Sequence, residues 1–291
     1  MIRDAPPRRL VYLGTPEIAV PPLKALVDEG FEIALVVTRT DKRRGRGSQL
    51  LPSAVKAAAV ELGLRVSHDV DDVLGVDADL GVVVAFGQLI KPHVLDVSPM
   101  VNLHFSLLPR WRGAAPVERA LLAGDDQTGV CLMQLEAGLD TGPVFRRAVV
   151  DIGHAMTATE LRSELVCVGT RLLVDELRAG LGTPEPQIGE PTYASKISAE
   201  ELHIDWTRSA LDIDRLVRVG GAWTTLNSRR LKIIAAELID VDDQPSGDLV
   251  GDHVGGLRLV TVQPEGKPPM EFKAFARGAR LADVEHLGRS E

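Results

Sequence analysis

Along its hydrophobic and polar positions the chain alternates short runs that are apolar throughout with longer amphipathic stretches. RRLVYLG, FEIALVVT, ADLGVVVAF, MVNLHF and GVCLMQLE lack the in–out alternation of a half-exposed strand. Continuous apolar runs of this kind mark strands buried on both faces of a mostly parallel sheet. Helical stretches lie between them. One begins near Pro21 or Pro22, where proline suits a first turn, and stops at Gly30. Another runs from Ser53 to Leu62 ahead of Gly63, and a third covers residues 115–123. Strands alternating with helices predict an α/β domain with a Rossmann-like sheet covered on both sides.

The pattern changes after a long helix expected over Ala158–Ala179. GLGTPEPQIGEPTYASKIS is rich in Gly, Pro and Ser and reads as a linker. One amphipathic helix follows, over 208–219. The runs AWTTLN, RLKIIAAELI, GDLVG and LRLVTV then come in succession between turn residues. They predict a small all-β barrel. The expected organisation is a first domain over 1–184, a linker over 185–203 and a second domain over 204–291.

Composition narrows the function. With 45% hydrophobic and 25% charged residues the chain reads as an ordinary globular protein. No apolar run approaches the ~20 residues that cross a bilayer. The N-terminus MIRDAPPRRLVYLG has no signal-peptide core, so a cytoplasmic location is expected; a monomer is expected as well. Cys131 and Cys167, the only two cysteines, read as buried, reduced thiols. With no CxxC and no HxxxH there is no framework for a metal. GxGxxG after the first strand and GxxxxGK[ST] are both missing, which excludes a dinucleotide fingerprint and a P-loop. The net charge of −8 argues against a general nucleic-acid binder. A local exception is RTDKRRGRG, where Arg39, Lys42, Arg43, Arg44 and Arg46 face Asp41 alone. Such a loop attracts anions.

The candidate chemistry lies in MVNLHFSLLPRWRGAAP. Asn102 and His104 are two apart in a strand, so both point to one face. In open parallel sheets sites form at the carboxyl ends of strands. GVCLMQLE runs into AGLDTG, where Gly138 and Gly142 bracket Asp140. Asn102, His104 and Asp140 are expected to converge because both strands deliver them to the same sheet edge. The three groups suit acyl transfer without a covalent intermediate. The amide serves a developing oxyanion, the imidazole moves a proton near neutral pH, and the carboxylate fixes the imidazole or stabilises its cation. Ser106 raises a Ser-His-Asp hydrolase, but HFSLLPR is not a GxSxG elbow.

NLHFSLLPRWRGAAP followed by LDTG at 139–142 resembles the folate-dependent formyltransferases. GTPEIAVPPL, DKRRGRGSQLLPSAVKAAA, VVVAFGQLI, RWRGAAP, GLDTG, YASKIS and IDW are similar, in order, to the motifs of the branch acting on methionyl-tRNA. The resemblance implies a C-terminal barrel of OB type. It implies formyl transfer from 10-formyltetrahydrofolate to the α-amino group of initiator methionyl-tRNA, in translation initiation and without a metal. Asn102 and His104 would act on the formyl group, with Asp140 orienting His104 or a water. Phe86, Gly87, Gln88, Leu89 and Ile90 would wall the pterin. Ser106, Leu107, Leu108 and Pro109 would border the folate. Lys42, Arg43, Arg44 and Arg46 would meet the tRNA acceptor end.

The chain departs from the family pattern at Phe105, Glu118, the Ser48–Gln49 pair and VGGAW. From residue 204 it carries twelve Lys/Arg against fourteen Asp/Glu, although Arg215, Arg218, Arg229, Arg230 and Lys232 can make one face positive. Two other readings follow from the same residues. One is an N-formyltransferase of amino sugars or sugar nucleotides; the other is a tRNA-binding paralogue without catalysis.

Overall fold

The computed structural model describes residues 6–43, 50–239 and 246–288. The chain forms two compact units. Unit 1 comprises Met1–Val117, Gln127–Asp151 and Arg162–Ser195; unit 2 comprises Glu118–Asp126, Ile152–Leu161 and Lys196–Glu291. The segment 185–195, linker-like in composition, thus falls within unit 1, while the short stretches Glu118–Asp126 and Ile152–Leu161 belong to unit 2.

In chain order, unit 1 begins with β1 (Arg9–Gly14), α1 (Val20–Asp28), β2 (Glu32–Val37), β3 (Lys42–Arg43), β4 (Leu50–Leu51) and α2 (Ala54–Glu61). Then come β5 (Val66–Ser67), β6 (Leu80–Val84), α3 (Pro92–Leu95), β7 (Met100–His104) and β8 (Arg112–Gly113). α4 (Pro116–Ala123) precedes β9 (Gln127–Gln134) and β10 (Val144–Asp151); α5 (Ala158–Ala179) and β11 (Tyr193–Ala194) follow. The helices start where the sequence offers caps. The Ser53 hydroxyl accepts from Lys56 N at 3.0 Å. At the head of α5, Thr157 N donates to Glu160 Oε2 at 2.8 Å while Glu160 N donates to Thr157 Oγ1 at 3.3 Å, a reciprocal capping box.

Seven strands form the main sheet in the order β10-β9-β7-β6-β1-β2-β5. β7, β6, β1, β2 and β5 are parallel; β9 runs against β7, and β10, antiparallel to β9, returns to the direction of the other five. β7 has two faces of different use. Leu103 faces α5, whose Gly169 seats close to Leu103 and Val130 because a Cβ there would lie 3.2 and 3.1 Å from them. Met100 joins Val11, Leu13, Val83, Phe86 and Ile90 in the cluster on the other face. Residue parity therefore puts Asn102 and His104 on that second face with Met100.

Unit 2 holds α6 (Ala210–Val219), β12 (Trp223–Leu226), β13 (Arg229–Leu238), β14 (Asp248–Val250), β15 (His253–Val254), β16 (Leu257–Pro264), β17 (Met270–Glu271), α7 (Phe272–Ala279) and β18 (Val284–His286). The order is β12-β13-β16-β15-β14-β18, with β17 beside β16. A bridge from Leu226 to Leu287 and a bond from Gly288 N to Thr225 O at 2.9 Å join the first strand to the last and close the barrel. Its core includes Trp206, Ile213, Ile233, Leu259, Val262 and Phe272. Helix α7 departs from the all-β expectation. MEFKAFARGAR anchors it by Phe272, which is fully buried, with Phe275 and Ala276 packed against the same core.

Candidate functional site

The three predicted side chains do come together. Asn102 Nδ2 lies 3.5 Å from Asp140 Oδ1. His104 Nδ1 lies 3.7 Å from Asp140 Oδ2, with both side chains almost wholly buried. The route differs from the one expected. β9 runs antiparallel to β7, with Val101 opposite Gln134 and His104 opposite Cys131. The loop after β9 therefore leaves at the opposite end of β7 from His104. It reaches Asn102 and His104 by crossing the sheet face that carries them, not by sharing a strand edge.

Local chemistry explains the crossing. Asp140 has φ 49°, a left-handed conformation that aspartate tolerates better than most residues. At Gly142 a Cβ would stand 2.0 Å from the Gln134 carbonyl oxygen, so only glycine fits where the loop passes over the end of β9. Gly113 N donates to Asp140 Oδ2 at 2.8 Å and anchors the carboxylate from the other side.

His104 is fixed by backbone. Its Nε2 lies 2.9 Å from Trp111 O. A carbonyl only accepts, so Nε2 carries the hydrogen and Nδ1 is the nitrogen turned toward Asp140. A proton taken up by the ring is met by an acceptor at either nitrogen. Ser106, fully buried, donates to Arg110 O at 2.6 Å. It is committed to the turn, which removes the hydrolase reading's nucleophile. Cys131, opposite His104, is buried, and burial pushes its thiol up. Cys167 is exposed, contrary to expectation, because it falls on the side of α5 away from Leu165 and Leu161.

The other predicted residues separate into groups. Phe86 and Ile90 are buried in the cluster that includes Met100, while Gly87, Gln88 and Leu89 are exposed, Leu89 at 79%. Thr15 Oγ1 donates to Phe86 O at 3.1 Å and the Arg39 guanidinium to Gly87 O, which pins this turn. Leu108 is buried and Leu107 and Pro109 are half-buried. A cavity of about 290 Å³, lined by Leu95, Met100, Gln134, Leu135 and Phe145 among others, opens at the other end of β7 from His104 and includes none of these predicted donor-site residues. Leu95 and Leu135 pack against the same cluster as Phe86 and Ile90. Lys42 and Arg43 are exposed on β3, paired with Leu51 and Leu50 of β4. Arg44 and Arg46 lie outside the described residues.

In unit 2, Arg215 and Arg218 pair with Asp212 and Asp214, which offsets their charge locally. Arg230 instead lies over the Trp223 ring, 4.2 Å from its centroid.

Two residues of the segment 185–195 join the site without a sequence signal. Gln187 Nε2 donates to the carbonyls of Asp140 and Gly142. Thr192 Oγ1 accepts from Trp111 N at 2.9 Å, and β11 pairs with β8 beside it. The motif YASKIS marked this region, but nothing in the composition of PEPQIG distinguishes a structural glutamine from a solvated one.

The Formyl transferase family matches residues 8–177, and the Formyl transferase C-terminal domain matches residues 196–280. Methionyl-tRNA formyltransferase of Roseobacter denitrificans is 42% identical over 94% of this chain and 97% of its own length. That of Ruegeria pomeroyi is 41% identical over 93% and 97%. Among solved structures, the methionyl-tRNA formyltransferase of Clostridium thermocellum has a TM-score of 0.56 at 15% identity, covering 88% of this chain and 98% of its own. An N-formyltransferase from Helicobacter canadensis, solved with folinic acid and dTDP-3-aminofucose, has a TM-score of 0.65 at 17% identity over 88% and 99%. These structural likenesses speak to fold alone. With both family domains in order and about two-fifths of its residues shared along nearly the whole length of these relatives, the chain belongs to the formyltransferase family, on its methionyl-tRNA formyltransferase branch.

Proposed function

We propose that this enzyme moves the formyl group of 10-formyltetrahydrofolate to the α-amino group of initiator methionyl-tRNA, acting as a cytoplasmic monomer at the start of translation. The observation that carries the reading is the Asn102–His104–Asp140 cluster, with His104 and Asp140 buried, in a chain whose relatives are named methionyl-tRNA formyltransferase. The attacking amine needs little activation, since free α-amino groups titrate near ~8. The demanding parts are the charge on the formyl oxygen and the proton that must reach the departing nitrogen.

Asn102 offers its Nδ2 hydrogens to that oxygen, and 3.5 Å from Asp140 Oδ1 the amide is only loosely held elsewhere. His104 accepts and returns the proton, held by Trp111 O on one side and facing Asp140 on the other. Asp140 orients the imidazole or a water between them. The residues fit a folate donor. The turn at Phe86–Ile90, pinned by Thr15 and Arg39 and with Phe86 and Ile90 buried in the cluster that holds Met100, would supply an apolar wall for a flat pteridine. The Ser106–Pro109 turn would border the rest of the donor. Lys42, Arg43, Arg44 and Arg46 would receive the acceptor end of the tRNA, and the C-terminal barrel over 204–291, of OB type by family resemblance, would add a second contact through Arg229, Arg230 and Lys232.

The test is to offer the purified protein 10-formyltetrahydrofolate with methionyl-tRNA or with an amino-sugar nucleotide. Formylation of methionyl-tRNA is expected. Formylation of the sugar alone would overturn the assignment, and formylation of neither would favour a binding role.

A further inference from the structure

We propose that Gln187 is a positioning residue for Asp140, so that the proline-rich segment carrying it is part of the catalytic apparatus; the kinetic part of this proposal rests on the formyl transfer proposed above. The Gln187 carboxamide stands between two site loops. Its Nε2 donates to Asp140 O at 2.9 Å and to Gly142 O at 2.8 Å. Its Oε1 accepts from Arg112 Nε at 3.1 Å and Nη2 at 2.7 Å. Arg112 is bonded to Gly113, whose amide holds Asp140 Oδ2 at 2.8 Å. The result is a closed ring: Arg112 side chain, Gln187, Asp140 main chain, Asp140 carboxylate, Gly113 amide and back to Arg112.

The ring acts where it is needed. Asp140 sits at φ 49° and Gly142 presses on the Gln134 carbonyl, so the loop has little intrinsic reason to keep this shape. Both carbonyls that Gln187 binds flank the turn that aims the carboxylate at His104. A displacement of about 1 Å at such a group is enough to impair a reaction steeply. Other residue types do not match the task. Glutamate keeps the acceptor for Arg112 but loses both donors, asparagine is one methylene shorter, and methionine only fills the space.

Two measurements on the full chain test this. The first needs no substrate: hydrogen exchange of the Gly113 amide in the parent, Gln187→Glu and Gln187→Met. The amide should exchange roughly tenfold faster or more in both variants, as its partner loosens. The second is steady-state kinetics. Gln187→Glu should lower kcat about tenfold or more while KM for either substrate stays within about twofold. That loss should vanish in an Asp140→Ala background, because the two residues act through one group. Gly113 exchange unchanged in the variants, a loss confined to KM, or an equal loss with and without Asp140 would each overturn the proposal. If the parent formylates no methionyl-tRNA, the functional reading fails, and Gly113 exchange still decides whether Gln187 positions Asp140. Gln187→Glu preserves volume and the Arg112 contact, so a folding failure of Gln187→Met does not remove the test.

Discussion

His104 Nε2 and the carbonyl oxygen of Trp111 lie 2.9 Å apart, so a main-chain group seven residues on, not a second side chain, sets which nitrogen of the imidazole bears hydrogen. Trp111 has φ 62°, a conformation that bulky residues adopt reluctantly. Thr192 helps to hold it there, accepting from Trp111 N through Oγ1 at 2.9 Å and from Arg112 N through its carbonyl at 2.8 Å. Thr192→Val keeps the shape and the carbonyl but removes the side-chain acceptor. It should lower kcat about tenfold, the equivalent of one hydrogen bond at ~1.4 kcal/mol. Steady-state kinetics beside a thermal melt will check this; an unchanged kcat would mean that the turn holds without its hydroxyl partner.

Direct loss of chemistry is expected at the strand itself. Asn102→Ala and His104→Ala should each lose about 10² or more in turnover, since each removes a group aimed at developing charge. Binding of the folate should change little, as measured by titration. Wild-type turnover in either variant would remove that residue from the mechanism.

The basic segment gives a salt-dependent expectation. Arg43 is exposed on β3. Arg43→Ala combined with Arg46→Ala should leave the melting temperature nearly unchanged, because exposed charges contribute little to stability. KM for methionyl-tRNA should rise, and its log–log dependence on salt should flatten by about 1 to 2. Formylation indistinguishable from the parent at every salt concentration would mean that these arginines meet solvent only.

A stability prediction concerns unit 2. Arg218 and Asp214 meet at 2.8 Å on α6 with side chains only 11% and 9% exposed, and Arg218 also donates to Met156 O at 3.1 Å. Arg218→Ala leaves a carboxylate buried without this partner and should cost about 3 kcal/mol. Urea unfolding measures it; a cost below about 0.5 kcal/mol would indicate that water reaches Asp214 as in an exposed pair.

Elements with strong local signals were legible from the chain. The apolar runs are the central strands, and the long helix at Ala158–Ala179 has the bounds expected of it. Strand direction was not legible. GVCLMQLE looks the same whether it runs with β7 or against it, since burial on both faces leaves no asymmetry to read. So the meeting of Asn102, His104 and Asp140 could be anticipated while its geometry could not. Helix α7 was legible in principle, since Phe272, Phe275, Ala276 and Ala279 stand at i, i+3, i+4 and i+7, but so short a helix is lost among strand-like runs. Gln187 and Thr192 were hidden because both work through hydrogen bonds to backbone made from a segment composed like a loop. Polar positions of that kind carry no periodicity.

The seam between Leu226 and Leu287 makes the barrel's integrity depend on a strand of three residues. Clipping the chain just ahead of β18 would release β14, left with a row of unpaired main-chain groups beside the exposed Val250, and would strip Thr225 and Leu226 at the end of β12 of their partners. Open edges of that kind recruit strands from other molecules. A protease that nicks near residues 280–283 would therefore turn a self-contained barrel into a seed for aggregation, and the harm would spread well beyond the few residues removed.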